Sequence, residues 1–314
     1  MAPSLPGLAW RDAAGYHDAT MFGTLNNPRF RPPAEAESLI LQVDQGCPYN
    51  HCTFCGMYRG VKYQRRSPAE ILKMIASEAR RAPDARRVFL ADGDVLRRPF
   101  EELQSILTAL AAHFPALARV NVYATGSAIA SKTDAQLQAL RALRFQTLYL
   151  GLESGDEEIL RRVKKGETAE AMVAAGLRAQ QAGLRLSVMI LPGLGGVERS
   201  PAHAAATAAA LNRMQPRLLS ALRVVPVPGT ELYTDAQTGR FQQLPEYQAV
   251  QELREIIARL ELTQTIFRAN HSSNVVPLEG RLPQDQARLV AELDGLLASG
   301  RLDEESPGAM PLWL

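Results

Sequence analysis

The chain has 314 residues, 46% of them hydrophobic, 22% charged and 6% aromatic, a globular balance that allows one large or two modest domains. Thirty-five Lys and Arg stand against 33 Asp and Glu, and a net charge of +2 argues against nucleic-acid binding through bulk charge. No apolar run reaches the roughly 18 residues of a membrane span, and the start of the chain lacks the basic and apolar blocks of a secretory signal, so a cytoplasmic protein is expected.

In chain order, an N-terminal segment (1–36) precedes a regular alternation of short apolar runs and helix patterns. The predicted strands are Leu39–Val43, Val88–Ala91, Val120–Tyr123, Leu148–Leu152, Leu186–Leu191 and Ala221–Val225. Most are continuously apolar, as strands buried on both faces are. Ser67-Pro68-Ala69-Glu70 has the spacing of a capping box and opens a helix to about Pro83; Thr133 and Gln136 repeat the device. Phe100, Leu103, Leu107 and Leu110 share a helix face. Thr168 caps a helix that stops at Gly183, and Ser200-Pro201 opens one that stops at Pro216. Six strand–helix units predict an α/β fold, a partial (βα)6 TIM-like barrel over 37–230 with its site at the C-terminal strand ends. Residues 231–314 read as a mainly helical extension capping that core, with helices near Pro245–Leu262 and after Pro283.

The chain has three cysteines, Cys47, Cys52 and Cys55, all within GCPYNHCTFCG directly after the first strand. Zinc needs a fourth ligand, for which His51 is the nearby candidate, but His51 adjoins Cys52 and such neighbours rarely reach one tetrahedral ion together. A reactive thiol needs only one or two cysteines. An iron–sulfur cluster suits the trio best: three thiolates leave one iron of a four-iron cube open.

These residues resemble the radical S-adenosylmethionine (radical SAM) superfamily. Its commonest loop has three residues between the first two cysteines; here Pro48-Tyr49-Asn50-His51 make four, so the spacing is a variant, while Thr53-Phe54 give the usual two. Ala91-Asp92-Gly93-Asp94 stands where relatives carry a glycine-glycine-glutamate segment. Gly151-Leu152-Glu153-Ser154-Gly155 is similar to a segment of the elongator- and coproporphyrinogen-oxidase-like subgroup. Leu191-Pro192-Gly193-Leu194-Gly195-Gly196 is like the family's adenine-side turn. The resemblance implies a 4Fe-4S cluster on Cys47, Cys52 and Cys55. It also implies SAM held near Phe54, Asp92, Gly93, Asp94, Glu153, Ser154, Gly193 and Gly195. An external flavodoxin- or ferredoxin-type electron donor is implied too, with an oxygen-sensitive reaction in which a 5′-deoxyadenosyl radical takes hydrogen from a small or medium metabolite.

Structural roles compete with these. Asp92 and Asp94 can cap the following helix, and Glu153 can pair with Lys164 or Lys165. For substrate, the candidates are Arg66 with Lys62 and Arg65, then Arg223, which interrupts the sixth apolar run and should face a polar cavity. His271 and Asn274, in the polar run 268–274, suit a lid. His203 reads as a surface residue. Two other functions fit the same fold: a cluster- or haem-carrying delivery protein without radical turnover, and an RNA-modifying enzyme, against which the even charge weighs. Neither a membrane nor nucleic acid is an expected partner, and no cysteine is left for a second cluster.

Overall fold

Val88, Leu90, Val120, Val122, Leu148, Leu186, Val188 and Leu219 have no solvent-exposed surface and lie on strands paired in parallel, one strand per helical crossover. The structure, a computed structural model, describes residues 30–308; most of the predicted N-terminal segment and the last six residues lie outside the described residues. The strands are β1 (Leu39–Gln42), β2 (Arg87–Ala91), β3 (Arg119–Tyr123), β4 (Phe145–Glu153), β5 (Arg185–Ile190), β6 (Leu218–Ala221), β7 (Thr265–Arg268) and β8 (Glu279–Leu282). They form one eight-stranded sheet in sequence order, parallel from β1 to β7, with β8 antiparallel at the edge. A two-stranded ribbon of Asp44–Gln45 and Gln64–Arg65 brackets the cysteine loop.

The helices are α1 (Pro68–Arg81), α2 (Phe100–His113), α3 (Gly126–Ala130), α4 (Asp134–Ala142), α5 (Glu157–Arg162), α6 (Ala169–Gln181), α7 (Gly196–Met214), α8 (Glu231–Gln237), α9 (Glu246–Ala258) and α10 (Gln286–Ala298). Both expected capping boxes form, at Ser67 with Glu70 and at Thr133 with Gln136. Side chains such as Leu103, Leu107, Leu137, Met172 and Leu211 pack with one face of the sheet in a single core. The opposite face is more polar. Phe89, Tyr123 and Tyr149 meet edge-on there at centroid distances of 5.1 to 6.2 Å. Buried Glu35 tucks beneath them and accepts hydrogen bonds from Asn121 (2.8 Å) and Tyr149 Oη (2.5 Å). This face lines the open side of a TIM-like partial barrel.

Three expectations need correction. The sixth strand is Leu218–Ala221, three residues earlier than its hydrophobic run suggests, because Pro226 and Pro228 follow and can donate nothing to a ladder. Helix α7 begins at Gly196 and carries Pro201 inside it; the Val197 N–H anchors the first turn on the Gln242 carbonyl at 3.0 Å. The C-terminal residues are not only helical, since β7 and β8 extend the sheet.

Candidate active site

Cys47 follows Gly46, whose φ of +83° turns the chain out of β1, and the loop is then tied down on every side. The Thr53 N–H bonds the Val163 carbonyl at 2.9 Å and the Leu232 N–H bonds the Thr53 carbonyl at 3.0 Å. Tyr49 Oη donates to the Lys164 carbonyl at 2.9 Å, and Asn50 Nδ2 to the Tyr58 carbonyl at 2.9 Å. Elements far apart in sequence thus fix one loop of thiols. All three cysteines are half-buried, unpaired by disulfides.

The tip of β2 closes on this loop. The Asp92 carboxylate is buried and accepts from Gly46 N (2.9 Å), Gln42 Nε2 (2.9 Å) and Tyr58 Oη (3.3 Å). A Cβ at Gly93 would stand 2.6 Å from Cys47 Cβ and 3.0 Å from its Sγ, so only glycine lets the strand tip pass the thiol. Asp94 makes no helix cap. It accepts from Thr125 Oγ1 at the β3 tip (2.6 Å), and burial pushes its carboxyl up to about 6.

On β4 a register shift between Gly151 and Glu153 turns the strand end, and Glu153 takes a φ of +63°. Its Oε1 accepts from Lys165 Nζ at 3.0 Å, while its Oε2 is buried with no partner among the described residues. Lys164 pairs instead with Glu231 at 2.8 Å. A side chain at Gly151 would collide with Glu153 Oε1 and lie 3.1 Å from Lys165 Nζ, so this pair sits over the inner face of β4. Burial opposes the Lys165 charge, but Glu153 and then Cys52 outweigh it and hold the ammonium above its ordinary range.

Ser154 is buried one step further, its Oγ bonded to His203 Nδ1 (2.9 Å) and to the Asp156 N–H (3.0 Å). His203 is therefore not a surface residue: it is fully buried, and desolvation lowers it to about 4. Its Nε2 lies 3.7 Å from Glu252 of α9, whose Oε1 accepts from Gly193 N at 2.6 Å. Gly195 leads into α7, where a Cβ would press on Ile159. Phe54 is half-buried against the cluster of Ile159, Val163, Leu194, Val224 and Leu232.

The substrate candidates are bound up in architecture. Arg66 Nε donates to the Gln42 carbonyl (2.8 Å), and Arg65 pairs with Glu102 (2.6 Å). Arg223 lies past β6, not within it, and donates to the Ser273 and Pro307 carbonyls (2.7 and 2.8 Å). Asn274 Nδ2 donates to Ala221 and Ala269 carbonyls while its Oδ1 accepts from Arg223 N, all at 2.9 Å. His271 Nδ1 meets Ser273 Oγ at 2.9 Å. The structure gathers Arg223, His271 and Asn274 into one knot and leaves Arg66 beside the cysteine loop's base. Sequence reasoning missed Gly93 as a contact of Cys47; its only signal was a glycine between two aspartates at a strand end.

The donor set suits an iron–sulfur cube. Burial, opposed by Lys165 and reinforced by Glu153, Cys55 and Cys47, pushes the Cys52 thiol up to about 12; burial likewise raises Cys55. Thiols gathered in one loop and raised by burial are what a cationic iron core would deprotonate, each cysteine then holding one iron. Among the described residues no three His, Cys, Asp or Glu side chains crowd closely enough to hold a single metal ion. A cube spreads its thiolates over separate irons and does not need that crowding. His51 is exposed and lies edge-on to Tyr49 at 5.1 Å.

Comparison with known proteins agrees. Residues 41–207, more than half of the chain, match the Radical SAM superfamily. Archaeal Methanocaldococcus infernus Elp3 with an N-terminal deletion of residues 1–46 has a TM-score of 0.50 at 15% identity, over 74% of this chain and 61% of its own. Coproporphyrinogen III oxidase (HemN) from Escherichia coli, described as a radical SAM enzyme, has a TM-score of 0.53 at 18% identity, over 70% and 51%. The chain thus spans 61% and 51% of these two proteins, and at such identities the likeness is one of fold. No curated protein matches. The cysteine loop on the first strand of a partial barrel, and a match across most of that barrel, together establish that this chain belongs to the radical SAM superfamily.

Proposed function

We propose that the protein is an enzyme that cleaves SAM reductively at a 4Fe-4S cluster held by Cys47, Cys52 and Cys55, and that it acts on a small or medium-sized metabolite. The observation that carries this reading is the Gly93 notch against Cys47, which sets a carboxylate-bearing strand tip directly on the thiol loop. When bound, the cluster supplies one low-potential electron that breaks a carbon–sulfur bond of SAM, yielding methionine and a radical able to take a substrate hydrogen. The chain's part is to bind, orient and exclude water. Asp92 holds the loop turn, and Asp94 clamps the β2 and β3 tips together. That leaves Glu153 Oε2 as the acceptor for the SAM ammonium or a ribose hydroxyl, with Lys165 Nζ holding the other oxygen in place. The catalytic core is 37–230, and the described part of the extension, 231–308, packs on it and lengthens its sheet. A flavodoxin- or ferredoxin-type protein in the cytoplasm delivers the electron. Among the described residues no helix is long and apolar enough to cross a membrane.

Anaerobic reconstitution with iron and sulfide tests the reading. It should yield about four irons per chain and 5′-deoxyadenosine when SAM and a reductant are added. Protein that takes up a single zinc and leaves SAM intact refutes it.

A further inference from the structure

Strand register puts one row of residues across the inner face of the sheet at a single level. Gly151 pairs with Met189, Met189 with Ser220, and Ser220 with Arg268. Paired residues of neighbouring strands share a face. Gly151 marks that face as the one over which Glu153 and Lys165 fold. The row therefore starts beneath the carboxylate assigned to SAM and ends at an arginine three strands away, about 14 Å along the sheet at the usual strand spacing.

Arg268 differs from the arginines at the site's edge. Arg66, Arg98 and Arg223 all donate to backbone carbonyls. Half-buried Arg268 makes no side-chain hydrogen bond and no ion pair among the described residues. Its register partner on β8, Glu279, is exposed and does not pair with it. The next row down brings Leu218 and Ile266 together on the same face, and Ile266 is 44% exposed although β-branched and apolar. An unengaged guanidinium beside a hydroxyl, above an open apolar floor, is a site for an amphiphile with an anionic end. The fork of a single guanidinium matches a planar carboxylate with two parallel hydrogen bonds, and one positive charge neutralises a monoanion but not a phosphate dianion.

We propose that Arg268, assisted by Ser220, binds the carboxylate of the substrate, whose apolar body lies on Met189, Leu218 and Ile266 and points its reacting carbon toward Glu153 and the cysteine loop. The chemistry done on that ligand rests on the radical SAM reading; the binding site does not. The substrate class is a carboxylic acid with an apolar chain or ring, reaching across about three strands.

The test uses the full chain, reconstituted anaerobically with cluster and SAM, and follows 3-(4-fluorophenyl)propanoate and its amide by fluorine NMR. The acid should bind about ten- to a hundredfold tighter than the amide, the range for a hydrogen-bonded charged group. Arg268→Gln should erase that preference, Arg268→Lys should keep part of it, and Arg281→Gln, on the rim one row below, should leave it intact. Equal binding of acid and amide, no binding of either, or a preference that survives Arg268→Gln overturns the proposal. If Arg268→Gln does not fold, Arg268→Lys decides: a severalfold loss for the acid alone supports the site, and an equal loss for both ligands overturns it. Iron content and 5′-deoxyadenosine formation in the same samples report on the radical reading separately, so a chain that prefers the acid yet never cleaves SAM sinks that reading and leaves the carboxylate site standing.

Discussion

Lys165 Nζ lies 3.0 Å from Glu153 Oε1, and the two side chains occupy the space that any residue larger than glycine would need at position 151. Side-chain exposures of 11% and 6% make this a buried ion pair, where removing one partner strands the other charge. Lys165→Met should cost about 3–5 kcal/mol in urea unfolding, while Lys165→Arg should cost much less. Because Lys165 also offsets the burial of Cys52, iron uptake should fall with the Met variant and not with Arg.

Gly93→Ala puts a methyl group 2.6 Å from Cys47 Cβ, with the Cys47 backbone on one side and its thiol on the other. Overpacking of this kind costs about 1–3 kcal/mol, and here the displaced atom belongs to a cysteine proposed to hold the cluster. Fewer irons per chain after reconstitution are expected. Gly295→Ala is the contrast: it lies inside α10 with nothing within 4 Å and should gain about 0.5–1 kcal/mol.

Glu252 gives a pH signature. Burial, offset in part by hydrogen bonds from Ser200 and the Gly193 N–H, raises its carboxyl to about 7 from 4.5. The folded state thus holds a proton that the unfolded state releases between those values, so this residue's contribution declines as pH rises from about 4.5 through about 7. Glu252→Gln does not titrate. Its melting temperature relative to the parent should climb between pH 5 and pH 8, by an amount corresponding to about 1–3 kcal/mol. A flat difference across that range would rule the assignment out.

Asn274 donates two hydrogen bonds and accepts one, all to backbone, joining the end of β6 to the chain after β7. Asn274→Ala should cost about 1–3 kcal/mol, the range for stranded buried backbone groups, and should leave acid-over-amide binding unchanged. A selective loss of ligand affinity at full stability would mark it as a substrate contact.

The strands of the core were readable because parallel strands buried on both sides need continuous apolar runs, and Val88–Ala91 or Leu186–Leu191 can be little else. Thr265–Arg268 and Glu279–Leu282 were not, since four-residue runs that mix apolar and charged side chains leave too short a pattern to separate from loop. His203 illustrates the same limit. A histidine among alanines carries no sign of which helix face it occupies, and burial came from Ser154 and Glu252, which lie 49 residues away on either side.

By itself the sequence determined the local chemistry: three thiols in one loop, carboxylates at successive strand ends, and helix starts written as capping boxes, all of which depend on neighbours a few residues apart. Tertiary structure alone decided which of those groups remain available. Asp92 and Asp94 are engaged by donors from other segments, whereas among the described residues Glu153 keeps one oxygen unpartnered and Arg268 makes no side-chain hydrogen bond. That choice is made by register and by close approach, as where Gly93 meets Cys47, and both arise from the pairing of segments that are remote in the chain.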